Sequence, residues 1–411
     1  MIYQKFSKRQ NLTLTWWNRP KYKDYDGIIC DGSIRSGKTV SMTDGFILWS
    51  MSSFNGQNFA ICGKTIESLR RNVVTLMPQW LEGIFTITER RSENKLIITA
   101  NGKTNYYYMF GGKDESSYTL VQGITLAGVL FDEVALMPRS FVEQAMARCS
   151  VDGSKFWFNC NPENPGHWFY VEWIKKAKER NILYLHFTMN DNLSLSAKIK
   201  ARYEAMYSGV FYRRYILGLW VKAEGLVYPM FNRDAHIVKE APKLNPRHRY
   251  YVAIDYGTVN PFAAGLYDYS PSEQKAVMIK ELYYKGGSTD RVDNEAYYKM
   301  LSELIGDYPI EYILIDPSAS SMIETIQKYG EYAVLKADND VLNGIQDVTK
   351  FLNAGCLYFH KGCKNTFDEF ETYSWDEDST EDEVIKENDH SMDQLRYFCR
   401  TVLRNELKWI V

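Results

Sequence analysis

Nowhere in the 411 residues does an apolar run approach the roughly 18 needed to cross a membrane, so no membrane-spanning helix is expected. The opening stretch MIYQKFSKRQ lacks the apolar core of a secretion signal. Cysteine is sparse and unpatterned, with seven residues at 30, 62, 149, 160, 356, 363 and 399. An odd set of this kind argues against a disulfide framework and for reduced thiols in a cytosol. Cys356, His360 and Cys363 lie close in CLYFHKGC, but no fourth ligand stands near them, so a zinc site is not expected. Excess basic charge is missing too: the net charge is −2 and the pI about 6.4. Any nucleic-acid contact must therefore use a local stripe rather than a global field. The doublets Arg70-Arg71, Arg90-Arg91, Lys175-Lys176 and Arg213-Arg214 read as solvated faces. Internal repeats and low-complexity tracts are absent as well.

What remains is an ordinary globular composition, 45% apolar, in a chain too long for one compact core. Two domains are expected. In the first half, strand-like DGIICDG, NFAICGK, GVLFDEV and KFWFNCNP alternate with helix-like KTVSMTDGFILWSMSS and ESLRRNVVTLMPQWL. This alternation predicts a mainly parallel sheet covered on both faces. Asn101-Gly102 between two β-rich runs predicts a hairpin. Pro229, Pro242 and Pro246 break residues 223–249, where the connection between domains is expected. Beyond it, YYVAIDYG, FAAGLYDY and KAVMIKELYY read as antiparallel strands. A helix around NEAYYKMLSELIG, the strand YILIDPS and a late helix in MDQLRYFCRTVLRNEL complete a second α/β unit.

Gly32, Gly37, Lys38 and Thr39 fit the spacing G-x-x-x-x-G-K-[ST] between a strand and a helix. Backbone N–H groups of Gly32, Ser33, Ile34, Arg35, Ser36 and Gly37 can converge on an anion there, helped by the positive end of the following helix. Lys38 would reach the β- and γ-phosphates of ATP, and Thr39 would offer its hydroxyl to Mg²⁺. Asp132, ending an apolar strand, would hold that magnesium through water, and Glu133 would polarise the attacking water. The bland alternative for this acid pair is a helix start, since PRSFVEQAMA follows, but that alternative predicts no phosphate loop upstream. Arg35 is a candidate γ-phosphate sensor, and Asn161-Pro162 a segment that senses hydrolysis. Arg139 and Arg148 are candidate arginine fingers only because they follow the acids closely.

A second constellation lies behind it. Asp255 and Asp316 each end an apolar strand, where a carboxylate seldom stands without a partner. A helix starting near Asp389 would bury Met392, Leu395, Cys399 and Val402, leaving Asp393 on the other side with Arg400 and Arg404 and His390 within a turn. Three carboxylates and an imidazole without a basic partner would repel unless cations lie between them, and such a site suits two-metal hydrolysis of a phosphodiester. The acidic run 376–387 is expected to be an exposed hairpin or loop.

Taken in order, these segments resemble the large terminase subunit of tailed bacteriophages over almost the whole chain. GSIRSGKT is similar to its Walker A loop, GVLFDEV to its Walker B strand and FNCNPENPGHWFY to its coupling motif. MNDNLSLS with YILGLWVKAEGLVYPMF resembles the end of its ATPase domain, and VAIDYG, ILIDPS and NDHSMDQLRYF its nuclease signatures. The resemblance implies a P-loop ATPase domain over 1–225, a linker over 226–248 and an RNase H-like α/β nuclease domain over 249–411. It implies ATP-driven packaging of double-stranded DNA, with Lys38, Thr39, Asp132 and Glu133 driving the motor. It further implies cutting of concatemeric DNA at two divalent cations, Mg²⁺ or Mn²⁺, held by Asp255, Asp316 and Asp393 with His390 assisting. The implied partners are the portal protein, the small terminase subunit and further copies in a ring, in the host cell cytoplasm and away from membranes. The arginine that some members carry before the Walker B strand has no counterpart in LVQGITLAG, so a trans-acting finger is left unassigned.

Other readings explain less. A repair-type helicase-nuclease working on host DNA would need a second ATPase-like domain, for which the chain has no room. A portal-docking subunit with decayed sites would not keep every acid, and a P-loop kinase leaves the second cluster unused.

Overall fold

The computed structural model describes residues 6–77, 81, 83–257, 261–284, 292–379 and 381–407. The chain divides into two compact units, Met1–Ala201 with Tyr212–Lys222, and Arg202–Phe211 with Ala223–Val411. Among the described residues no helix is long and apolar enough to cross a membrane.

The first unit is built on β1 (Gly27–Gly32), β2 (Asn58–Gly63), β3 (Thr86–Arg90), β4 (Lys95–Ala100), β5 (Lys103–Gly111), β6 (Gly128–Asp132), β7 (Lys155–Asn159) and β8 (Ile182–Phe187). Their order across the sheet is β3-β4-β5-β2-β6-β7-β1-β8. From β5 to β8 every pairing is parallel, and only β3–β4 and β4–β5 are antiparallel. The mainly parallel sheet expected from the alternation is therefore present. Its inner strands are mostly apolar because both faces are covered: Ile28 and Cys30 join one core cluster while Ile29 joins the other. Asn101 and Gly102 both adopt positive φ, 50° and 77°, as the tight turn joining β4 to β5 requires. The stretch read as a helix over ESLRRNVVTLMPQWL is α-helical over Ile66–Leu69, widens into a π-helical turn over Arg70–Val74 and is α-helical again at Met77 and Leu81. Residues 78–80 of that reading lie outside the described residues.

The Lys38–Ser53 helix sits on an aromatic layer. Trp157 of β7 is fully buried, with its ring 5.2 Å from Trp16, 5.9 Å from Phe46 and 6.0 Å from Trp49. Such pairs each add about 0.5–1.5 kcal/mol beyond area burial, and two of these rings belong to the helix whose first turn carries Lys38.

The second unit contains β9 (Ile237–Val238), β10 (Arg249–Asp255), β11 (Phe262–Ser270), β12 (Lys275–Tyr284), β13 (Ile310–Ile315), β14 (Val334–Lys336) and β15 (Leu357–His360). The order β14-β13-β10-β11-β12-β15-β9 has β10, β11 and β12 antiparallel, as expected, with β13 and β14 running parallel to β10 on its other side. This is the arrangement of an RNase H-like sheet. Within 226–248, the Arg233–His236 helix leads into β9, which pairs with β15. The His390–Phe398 helix lies on β10 and β11, its Phe398 ring stacked 3.9 Å from that of Tyr267 and its Gln394 Oε1 accepting from the Tyr267 hydroxyl at 2.7 Å. The acidic run after Trp375 folds back as a short hairpin through a Trp375–Val384 bridge.

Replacing Trp157 by alanine removes the ring on which the Lys38–Ser53 helix rests. A loss of about 3–5 kcal/mol of stability is expected, to be measured by denaturant unfolding of the purified variant.

Candidate functional sites

At the carboxyl ends of β1, β6 and β7 lies a cavity of about 470 Å³, lined by residues 34–40, Arg71, Asn72, Leu76, Asp132, Glu133, residues 159–161 and Asn192. The Lys38–Ser53 helix begins at Gly37, which has φ 83° and offers no side chain as a cap. Its first N–H groups thus face the cavity without an internal acceptor. The positive φ strains any side chain at Gly37, so the backbone favours glycine there, with the Gln10 amide packed close by. Gly32 and Ser33 shape the loop rather than line the cavity. The Ser33 N–H donates to Phe187 O at 2.9 Å, and the Ile34 N–H to Tyr215 O at 2.9 Å.

Lys38 is folded back into the loop. Its Nζ donates to Ser33 O at 2.7 Å, Gly32 O at 3.0 Å and Asn161 Oδ1 at 3.0 Å. Burial pulls its pKa down to about 8, against the pull of the neighbouring acids. Asp132 is 5% exposed, and burial, with Glu133 beside it, raises its carboxyl to about 7. One amide links the parts: Asn159 Nδ2 donates to Asp132 Oδ1 at 2.6 Å and to Thr39 Oγ1 at 3.0 Å. The hydroxyl and carboxylate expected around magnesium are thereby drawn to one point, and hard oxygen donors at a phosphate cradle fit that ion. Glu133 holds φ 60°, a left-handed conformation seldom adopted by non-glycine residues and frequent at working sites. Burial raises its pKa, opposed by the charges of Lys38 and Arg71. Neither Arg139 nor Arg148 lines the cavity; Arg139 pairs with Glu143 at 2.7 Å, one turn along its own helix.

In the second unit Ile254 of β10 faces Ile315 of β13 in parallel register, so Asp255 and Asp316 leave adjacent strands side by side. Asp255 Oδ2 meets His390 Nδ1 at 2.7 Å. Burial raises the Asp255 pKa even so, with Asp393 adding to the rise. For His390, burial acts downward but the bond to Asp255 outweighs it, and the pKa is raised. Asp316 accepts from the Ser318 N–H at 2.7 Å, Asn339 Nδ2 at 2.9 Å and the Tyr397 hydroxyl at 3.3 Å. Burial acts upward there, yet these bonds together lower its pKa. Burial raises the pKa of the Tyr397 phenol, and the charges of Asp393, Asp255 and Asp316 add to the rise.

Two expectations are corrected here. Asp393 has a basic partner: Arg396 Nη2 donates to its Oδ1 at 2.6 Å, because a spacing of three residues puts both on one face of the helix. Arg400, grouped with Asp393 in the sequence, instead bonds Asp347 at 2.9 Å and Asp338 at 3.0 Å. Among the described residues no group of three or more His, Cys, Asp or Glu side chains forms a ready metal cage. The chemistry of the donors nonetheless suits a divalent cation: Asp393 raises the pKa of both Asp255 and Asp389, an excess of negative charge that a cation would relieve.

Comparison with known proteins joins the two sites. The family model for the large terminase subunit, T4likevirus-type, N-terminal part, matches residues 29–234. The chain belongs to the large terminase family. It is similar to the large terminase of a thermophilic bacteriophage, at 50% identity and a TM-score of 0.91, over 97% of this chain and 100% of that one. The same phage protein in complex with ADP matches at 49% identity and 0.88, and in complex with ATP-γ-S at 48% and 0.87, with the same coverage. A search of the curated proteins returns no match.

Several residues of this terminase chain escaped the sequence reading. Asn159 and Asn192 carry no charge pattern to mark them, and Arg71 was counted with a solvated doublet. Glu369 is another. It is 3% exposed, and its Oε2 accepts from the Ser391 and Met392 N–H groups at 2.7 and 3.1 Å, capping the helix that bears His390 and Asp393. Its own helix, Lys364–Thr372, is capped in turn by Glu281 of β12, which accepts from the Asn365 and Thr366 N–H groups at 2.9 and 3.1 Å. A relay of carboxylates thus positions Asp393. In CLYFHKGC the Cys363 Sγ donates to Met278 O and the Cys356 Sγ to Ala354 O.

Burial raises the Glu369 pKa from 4.5 to about 7. The folded state therefore binds this proton more tightly than the unfolded chain, and stability falls as pH rises from 4.5 to 7. Glu369→Gln keeps an acceptor oxygen but has no such proton to lose. Melting curves at pH 5 and pH 8 are expected to give a smaller drop in Tm for the variant, by about 2–4 °C for each kcal/mol recovered.

Proposed function

We propose that this chain hydrolyses ATP in its first unit to drive double-stranded DNA into a phage procapsid, and cuts concatemeric DNA with its second. The observation that carries the reading is the Asn159 amide joining Thr39 to Asp132 beside Lys38 and an uncapped helix start. Nothing in a purely structural role calls for a buried lysine, a buried carboxylate and free N–H groups around one cavity. The ADP and ATP-γ-S complexes of the similar thermophilic-phage terminase support a nucleotide as the occupant.

In this reading the N–H groups of Arg35 to Thr39 bind the phosphates, and Lys38 exchanges its loop carbonyls for phosphate oxygens. The incoming negative charge offsets the burial that pulls the ammonium toward its neutral form. Thr39 and Asp132 would hold Mg²⁺, which supplies charge neutralisation at the β- and γ-oxygens. Glu133 orients the attacking water. Asn161, which accepts from Lys38 at 3.0 Å, loses that bond when Lys38 turns to phosphate. The segment 161–162 thereby registers the nucleotide state.

Asp255, Asp316 and Asp393 would hold two divalent cations, which supply an activated water and stabilise the leaving oxygen. His390 orients Asp255, and Arg396 and Tyr397 hold the other two carboxylates in place. The motor body corresponds to residues 1–225 and the nuclease to 249–411, with 226–248 between them. The portal protein, a small terminase subunit and further copies in a ring complete the machine in the host cytoplasm.

The test uses the full chain with supercoiled plasmid and Mn²⁺. Lys38→Ala is expected to abolish ATP hydrolysis and leave nicking intact. Asp316→Ala is expected to stop nicking and leave hydrolysis intact. Nicking that survives in Asp316→Ala would remove the second unit's acids from the reaction, and loss of both activities in either variant would refute independent sites.

A further inference from the structure

Arg70 and Arg71 are neighbours in sequence with opposite roles. Arg70 is structural: its Nε donates to Glu89 Oε1 at 2.7 Å and its Nη2 to Asn94 Oδ1 at 3.0 Å, tying the turn to the hairpin of β3 and β4. The backbone here is π-helical over Arg70–Val74, one residue wider per turn than an α-helix, a distortion common at functional sites. Pinned in this way, the turn presents Arg71 and Asn72 to the cavity that holds Lys38 and Glu133. Arg71 is exposed, bonded only loosely to its neighbour Asn72 at 3.4 Å, and its charge bears on the Glu133 carboxylate. Its hydrogen bond goes to an amide oxygen and not to an acid, whereas Arg139 has Glu143.

We infer that Arg71 is the chain's own arginine for ATP hydrolysis, reaching the γ-phosphate as it is transferred and holding Glu133 toward the attacking water. The inference rests on the ATPase reading above. In the step it serves, the water oxygen bonds to the γ-phosphorus as the bond to the β,γ-bridging oxygen breaks. That electron pair leaves with ADP, the water proton passes to Glu133, and inorganic phosphate is released. Negative charge grows on the bridging and equatorial oxygens during this step. A forked guanidinium can bond two of those oxygens at once, which an ammonium cannot.

The experiment compares the full-length wild type with Arg71→Ala and Arg71→Lys. Steady-state ATPase is measured alongside affinity for ATP-γ-S, a ground-state mimic, and for ADP with fluoroaluminate, a mimic of the transferring phosphoryl group. Arg71→Ala is expected to lower kcat by about 10²–10³-fold, with KM and ATP-γ-S affinity within roughly threefold of wild type. Affinity for the fluoroaluminate complex is expected to fall by a factor comparable to that in kcat. Lysine is expected to recover only part of the loss. The Tm of Arg71→Ala should match wild type, whereas Arg70→Ala, which breaks the ties to Glu89 and Asn94, should melt lower. Undiminished kcat in Arg71→Ala, or equal loss of both mimics, would overturn the inference alone. A wild type that hydrolyses no ATP would bring down the ATPase reading and this inference together.

Discussion

Parallel strands deliver their last residues to one edge of a sheet, and in both units of this chain that edge is where the apolar core stops and the charges begin. β1, β6 and β7 are apolar through their middles, and β1 leads into the phosphate loop while β6 and β7 end on Asp132 and Asn159. β10 and β13 are apolar toward the site, where β10 ends on Asp255 and Asp316 follows β13. A carboxylate at such a place is largely out of water and against hydrocarbon, close to its fellows on the next strand. It cannot be satisfied by the strands themselves, since their hydrogen bonds are already made within the sheet. Everything else at either site supplies what that edge lacks.

The two edges solve the same electrostatic problem with different means. In the first unit the charges are opposite in sign but deeply buried, so Lys38 is pulled toward neutrality and Asp132 toward protonation. Both shifts are in the direction that a charged ligand and its metal would reverse, which leaves the site tense without them and receptive to them. In the second unit the charges are mostly of one sign, and the protein spreads the burden. His390 shares Asp255, Arg396 takes Asp393, and three hydrogen-bond donors take Asp316. Glu369 and Glu281 hold the helices in register from behind.

Much of this could be read from residue order. The Lys38–Ser53 helix follows from a glycine that can turn left-handed ahead of an apolar stripe, and the acids at 132, 255 and 316 stand out because each interrupts a run of buried side chains. What could not be read depends on tertiary partners. Asp347, buried on another helix, captures Arg400, and that leaves Arg396 to Asp393. Glu89, on the edge strand β3 and six places across the sheet from β1, is what separates the role of Arg70 from that of Arg71. Asn159 is invisible to any charge argument, since an amide earns its place only when two oxygens lie within reach of one nitrogen. The short strands β9 and β14 sit at or near sheet edges and are two or three residues long, too brief to carry a period.

The chain enters the second unit at Arg202, returns to the first at Tyr212 and leaves again after Lys222. The returning strip carries Tyr215, whose carbonyl accepts from the phosphate loop at Ile34, and Trp220, whose indole nitrogen donates to the buried Asp31 of β1 at 2.7 Å. No single scissile point therefore yields two whole bodies. Severing the polypeptide ahead of this strip deprives the loop of its brace, and severing it behind takes from the second unit the segment whose Ser208 hydroxyl accepts from Asn353. A dissection that keeps both bodies whole has to reroute the backbone around that detour rather than cut it.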